Sequence, residues 1–145
     1  MSKIYFASDH AGFGLKAVLL QFAPTLGYEV EDVGPYEIVA TDDYPEYITP
    51  LARAVAGDAT ARGVIIGKSG QGEAMCANRI KGARAAVFYG GSLGIIRLAR
   101  EHNDANILSL GAGFVNEEEA KSALKLFLDT AFSCEERHIR RLAKF

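Results

Sequence analysis

Short apolar runs that alternate with stretches of helical spacing restrict this chain to few architectures. "IYFAS" (4–8), "VIIG" (64–67), "AAVFY" (85–89) and "NILSL" (106–110) are unbroken enough to be strands covered on both faces. "YEVEDV" (28–33) instead alternates apolar with acidic residues, which suits an edge strand with one wetter face. Between the runs, Leu15, Val18, Leu19 and Phe22 follow the i, i+3, i+4, i+7 spacing of a helix with one apolar face. Ile48, Leu51, Ala52 and Val55 do the same. "NEEEAKSALKLFLDTAF" opens with Asn116 as N-cap and Glu119 three residues later, a capping-box start whose acidic first turn suits the positive helix end.

Strand alternating with helix throughout implies an α/β fold, a three-layer α/β/α sandwich around a five-stranded parallel Rossmann-like sheet. The expected strand order is 2-1-3-4-5, with the 28–33 strand at an edge. Residues 1–145 read as a single domain without repeat or linker, ending in a basic helix over about 134–144 that protrudes from the body. In such a sheet, ligands bind beyond the carboxyl ends of the strands, where the winding direction reverses. That crevice lies between the first and third strands, and the segments beyond them are "SDHAG" (8–12) and "GKSGQGE" (67–73).

Composition narrows the function classes. A net charge of −2 argues against nucleic acid as a partner, although the ending "ERHIRRLAK" is locally basic. No run is long enough to cross a bilayer and "MSKIYFASDH" lacks a signal pattern, so no membrane partner and a cytoplasmic location are expected. Cys76 and Cys134 lie far apart with no ligand spacing, which indicates neither a disulfide framework nor a zinc site.

The glycine-rich loop is not a nucleotide motif. "GKS" would end a Walker A loop only with glycine at position 62, which is Arg62. A dinucleotide fingerprint starting at Gly70 would need glycine at 75, which is Met75. Gly67, Gly70 and Gly72 still allow backbone N–H groups to converge on an anion ahead of a helix, where the alternative is an ordinary strand-to-helix turn. Glu73 in that first turn either complements the helix dipole or acts as a base beside the anion cradle. Cys76, among small and apolar residues, reads as a buried unreactive thiol. Asp9 either caps the following helix or, with His10, faces the same mouth. His102 and Asn103 end a helix, where polar residues are ordinary.

Taken together, "SDHAG", "DDYPEY", "GKSGQGE…ANRIKGARAA", "LAREHNDANILSLG" and "RHIRR" resemble the ribose-5-phosphate isomerase type B family, which also includes galactose 6-phosphate and allose 6-phosphate isomerases. The resemblance spans essentially the whole chain. Many members carry a cysteine base at the end of the third strand, here Gly67; others use a glutamate just after the glycine loop, where Glu73 falls. The resemblance therefore implies Glu73 as the base that shuttles a proton between C1 and C2 through a cis-enediolate, and His102 as the group that assists ring opening, with Asp9 nearby. Lys68, Ser69, Gly70, Gln71 and Gly72 would form the oxyanion loop, with Ser69 relaying protons between O1 and O2. Asn103 would bind a sugar hydroxyl, and His10, Arg137 and Arg141 the phosphate. No metal and no organic cofactor are implied.

One position departs from the family pattern. An arginine usually follows the fifth strand in "G-x-R"; here the segment is "GAGFV" and the position is Gly113, while Lys68 stands where glycine is common. Lys68 is the expected substitute charge. Topology adds that a helix leading into the fifth strand ends at the amino edge of the sheet, about 15 Å from residues 67–73. His102 and Asn103, and the tail with Arg137 and Arg141, are thus expected to reach the site from the second subunit of a homodimer, with tetramers also compatible. The alternatives are an isomerase of a six- or four-carbon aldose phosphate, a sugar-phosphate sensor without activity, and a flavodoxin-like signalling domain, which lacks its acidic cluster here.

Overall fold

A computed structural model describes residues 2–145. The elements run β1 (Lys3–Ser8), α1 (Phe13–Phe22), β2 (Glu29–Gly34), α2 (Pro45–Ala56), β3 (Arg62–Gly67), α3 (Gln71–Ala77), β4 (Ala85–Phe88), α4 (Gly94–Asn103), β5 (Ile107–Gly111), α5 (Glu117–Asp129) and α6 (Glu136–Leu142). All five expected strands and the periodic helices are present. The four apolar positions that defined α2 are all buried. Asn116 caps α5 through Oδ1, which accepts from Glu119 N–H at 2.8 Å, and Glu119 Oε1 accepts from Asn116 N–H at 3.1 Å. This reciprocal cap contributes about 1 kcal/mol.

The sheet is parallel throughout, and its order corrects the expectation: β2-β1-β3-β5-β4 in place of 2-1-3-4-5. Burial gives the reason. Every residue of β5 is buried, whereas Ala85, Ala86 and Val87 of β4 are only half-buried, as suits an edge. Both segments look equally apolar in sequence, so composition did not separate them. β2 holds the other edge, as its alternation implied.

Side-chain alternation along each strand divides the core in two. Ile4, Phe6, Val64, Ile66, Leu108 and Leu110 pack against α1, α4 and α5. Ala7, Ile65 and Ile107 face α2 and α3 with Leu51, Val55 and Ala77. Placing β5 beside β3 has a consequence for function. The loops that follow these two strands become neighbours at the carboxyl edge, and Gly67 pairs with Gly111 at the end of the ladder.

The C-terminal helix is shorter than the expected 134–144 and protrudes less. Its His138 is buried and stacks on His102 of α4, ring centroids 4.2 Å apart, and Ser133 N–H donates to the Glu101 carbonyl at 3.1 Å. The remaining face, with Arg137, Ile139, Arg140 and Arg141, is exposed. A helix with one apolar or aromatic contact per turn docks on that side and leaves its charges in water.

Candidate active site

The loop between β3 and α3 is held by its neighbours. Gly70 adopts φ 80°, a left-handed conformation that glycine takes without a side-chain clash. Its carbonyl accepts from Ser109 Oγ at 2.6 Å. From the loop after β5, Ala112 N–H donates to Gly67 O at 2.8 Å and Gly113 N–H to Lys68 O at 2.9 Å. Carbonyls are thereby consumed on the β5 side. The first N–H groups of α3, which lack carbonyl partners within their own helix, stand ahead of the loop. Gln71 N–H is engaged locally, donating to Ser69 Oγ at 3.3 Å.

Glu73 occupies the first turn of α3 and turns inward, with only 4% of its surface exposed. Its carboxyl group lies against Gly67: a Cβ built at position 67 would fall inside the Glu73 carboxyl. Burial raises the pKa of Glu73 above the ordinary carboxylate range. Its own backbone N–H opposes that shift, and the charge of Asp9 adds to it. Desolvation therefore prevails over hydrogen bonding, which makes the carboxylate a stronger base than a solvated one. An acid serving only the helix dipole would sit in water, and this one does not.

Asp9 lies at the end of β1, where its backbone N–H donates to Ile66 O at 3.2 Å and its Oδ1 accepts from Gly12 N–H at 2.8 Å. The helix cap expected as its alternative does not form: Gly12 is the N-cap of α1 and no side chain caps it, so Asp9 only closes the turn ahead of the helix, and its charge still acts on Glu73. His10 follows, exposed, with Nδ1 2.9 Å from Asp42 Oδ1. The Tyr44 hydroxyl reaches Gly72 closely enough that a Cβ there would collide with it. Lys68 lays its side chain over Gly113: a Cβ at 113 would meet its Cε at 2.8 Å and its Nζ at 3.1 Å. Cys76 is half-buried toward the α2 core, its Sγ 3.5 Å from Thr49 Oγ1, and takes no part in this gathering.

The candidate residues thus fall into two groups. Asp9, His10, Lys68, Ser69, Gly70, Gln71, Gly72 and Glu73 meet at the carboxyl edge of the sheet. His102 and Asn103 end α4 just before β5 begins, at the amino edge, and Arg137 and Arg141 flank the His138 that stacks on His102. One chain does not bring the two groups together. A recess of about 900 Å³ also lies at the amino edge, lined by Asn78, Arg84, Asn103, Leu142 and Phe145 among others. It contains no buried acid or base, so the chemistry is argued from Glu73. Among the described residues no group of three or more His, Cys, Asp or Glu is placed to hold a metal ion.

The family model for ribose/galactose isomerases matches residues 4–145. The chain belongs to this family. Among curated relatives, ribose-5-phosphate isomerase B of Mycolicibacterium paratuberculosis is 35% identical over 97% of this chain and 87% of its own. That of Escherichia coli is 36% identical over 91% and 87%. Among solved structures, the ribose-5-phosphate isomerase B of Mycoplasma genitalium with bound ribulose-5-phosphate superposes with a TM-score of 0.93 at 35% identity, covering 99% of this chain and 93% of that one. The enzyme of Anaplasma phagocytophilum gives 0.91 at 38%, covering 98% and 94%. Family membership accords with the motif resemblance in "Sequence analysis".

Three residues that now look important carried little signal. Ser109 is a single hydroxyl inside the apolar run "ILSLG", and that polar interruption was the one available clue. Asp42 lies in a polar loop among other acids. Tyr44 stands in the motif "DDYPEY", where nothing local sets its hydroxyl against Gly72.

Proposed function

We propose that this chain is an aldose-ketose isomerase that interconverts ribose 5-phosphate and ribulose 5-phosphate. The observation that carries the reading is a buried carboxylate, Glu73, in the first helical turn beside a glycine-rich loop at the carboxyl edge of the sheet. The close relatives' shared name supplies the substrate class.

In the aldose-to-ketose direction, Glu73 removes the C2 proton of the open-chain sugar. The electron pair moves into a C1–C2 double bond as the aldehyde oxygen becomes an enediolate oxygen. Backbone N–H groups of residues 68–72 stabilise that negative charge. Ser69 relays a proton between O2 and O1, and Glu73 returns its proton to C1. A carboxylate of raised basicity suits this step, because proton abstraction is most effective when the base matches the operating pH.

His102 assists ring opening by moving a proton at the ring oxygen, with Asp9 at the other side of the mouth, and Asn103 binds a sugar hydroxyl. These two reach the site from the second subunit of a homodimer, as do Arg137 and Arg141, because both pairs sit at the amino edge of their own chain. His10 and Lys68 complete the phosphate site. The Lys68 side chain over Gly113 supports its role as substitute for the family arginine, as a point charge where a guanidinium would bind two oxygens at once.

The deciding experiment is isotope exchange in heavy water with a panel of four-, five- and six-carbon aldose phosphates. Deuterium incorporated at C2 of ribose 5-phosphate, with ribulose 5-phosphate formed, is the expected result. Exchange confined to a six- or four-carbon sugar would move the assignment to another aldose phosphate. No exchange with any of them would remove the enzymatic reading.

A further inference from the structure

The loops after β1 and β2 emerge at the same edge of the sheet, and His10 of the first meets Asp42 of the second. His10 Nδ1 and Asp42 Oδ1 are 2.9 Å apart. The surroundings of the two partners differ sharply. The His10 side chain is 43% exposed, while the Asp42 side chain is 2% exposed although it lies in a surface loop. Its second oxygen, Oδ2, is buried and has no hydrogen-bond partner. A buried carboxylate with one contact is costly unless its partner carries the opposite charge.

We propose that Asp42 is a positioning residue that holds His10 as an imidazolium with Nε2–H directed outward, so that the loop after β1 presents a charged donor to the substrate phosphate. The inference rests on the isomerase reading for the identity of the ligand, but the ion pair itself does not depend on it.

The chemistry of imidazole is what makes Asp42 matter. With Nδ1 committed to Asp42, neutral His10 would leave a lone pair on Nε2, an acceptor that repels phosphate oxygens. Protonated His10 has a donor there, and a charge-assisted one. The charged groups acting on His10 are both acids: Asp42, through the hydrogen bond and its charge, and Asp9 on its own loop. The hydrogen bond to Asp42 comes first and raises the pKa of His10; burial opposes it, and the charges of Asp9 and Asp42 add to the rise. From α2, Tyr47 feels the same carboxylate: its phenol is pushed up by burial, then by the charges of Asp42 and Glu46. No group in that set would favour neutral His10 electrostatically.

The sign of the pH dependence follows. A His whose pKa is raised stays cationic to higher pH, so its contribution to phosphate binding is present in acid and lost as pH rises through the raised value. The phosphate ester needs pH above about 6 to carry its second charge. Tight binding therefore occupies a window between those two ionisations, and Asp42 sets its upper limit.

Asp42→Asn keeps an acceptor for Nδ1 and removes the charge. At pH 7.5 it should raise KM for ribose 5-phosphate about 5- to 10-fold and leave kcat within about twofold. The alkaline rise in KM should move to lower pH. In a His10→Gln background the same substitution should change KM no further, whereas a purely structural Asp42 would still act there. Independently of turnover, NMR titration of the His10 ring should show a lower pKa in Asp42→Asn. Inorganic phosphate at pH 7.5 should perturb the wild-type Nε2 and not the variant's. An unchanged His10 titration would overturn the ion pair. A shifted titration with unchanged KM and phosphate response would overturn the positioning role. A protein with no isomerase activity that still shows the phosphate response would sink only the choice of sugar chemistry.

Discussion

Glu73 and Gly67 depend on each other at the level of single atoms. Because the carboxyl group fills the space a Cβ at 67 would need, Gly67→Ala must push the base out of place. We expect kcat to fall by about 10²-fold with little change in the melting temperature, since the displaced carboxylate moves toward water. Retained activity in Gly67→Ala would show that the base does not work from the observed position. Glu73→Gln tests the base itself and should lower kcat by about 10²–10⁴-fold. The raised pKa adds a stability prediction. Its folded value lies above the unfolded one, so the protonated form favours folding, and that advantage is lost as pH rises through the folded value. Glu73→Gln should therefore raise Tm more at pH 8 than at pH 5, and an equal change at both would contradict a desolvated carboxylate. The acid limb of kcat should likewise lie above that of an ordinary glutamate.

At the scale of elements, the strand order is what assembles the loop. With β4 beside β3, the segment 111–115 would have lain one strand away from residues 67–72. With β5 there, Ala112 and Gly113 donate directly into the loop, and Ser109 holds the Gly70 carbonyl from below. The same adjacency puts the stem of Lys68 over Gly113. Lys68→Ala should raise KM for the sugar phosphate about tenfold with kcat nearly unchanged, because a phosphate contact binds ground and transition states alike. An unaltered KM would remove Lys68 from the phosphate site.

The whole molecule poses a different problem, because a single chain keeps His102 and Glu73 at opposite edges of the sheet. A two-fold dimer would bring the amino-edge group of one subunit to the carboxyl-edge group of the other, building two equivalent shared sites. Exposed Met75, Ile95, Leu98 and Phe114 leave apolar surface for such an association. Chains carrying Glu73→Gln and His102→Ala, each inactive alone, should recover activity when co-expressed. Random pairing makes half of the dimers mixed, each with one intact site, so about a quarter of wild-type activity is expected. No recovery, with mixed dimers verified by mass, would mean that each site is complete within one chain.

Much of this was legible along the chain. Strand and helix periodicity, the capping box of Asn116 and Glu119, and the failure of the nucleotide motifs at Arg62 and Met75 are all set by neighbours in sequence, within a turn or a strand. So is the arrival of Asp9, His10 and the glycine loop at one edge of a parallel sheet, because a parallel strand has only one carboxyl end. Strand order was not legible, since β4 and β5 are equally apolar and differ only in what comes to cover them. Nor was the state of Glu73: whether burial or hydrogen bonding governs its proton depends on atoms of Gly67 and Asp9 that folding brings from elsewhere. The Asp42–His10 pair belongs to the same class. Local patterning decides which elements form, whereas desolvation and long-range contact decide which of their polar groups become chemistry, and only packing in three dimensions sets those.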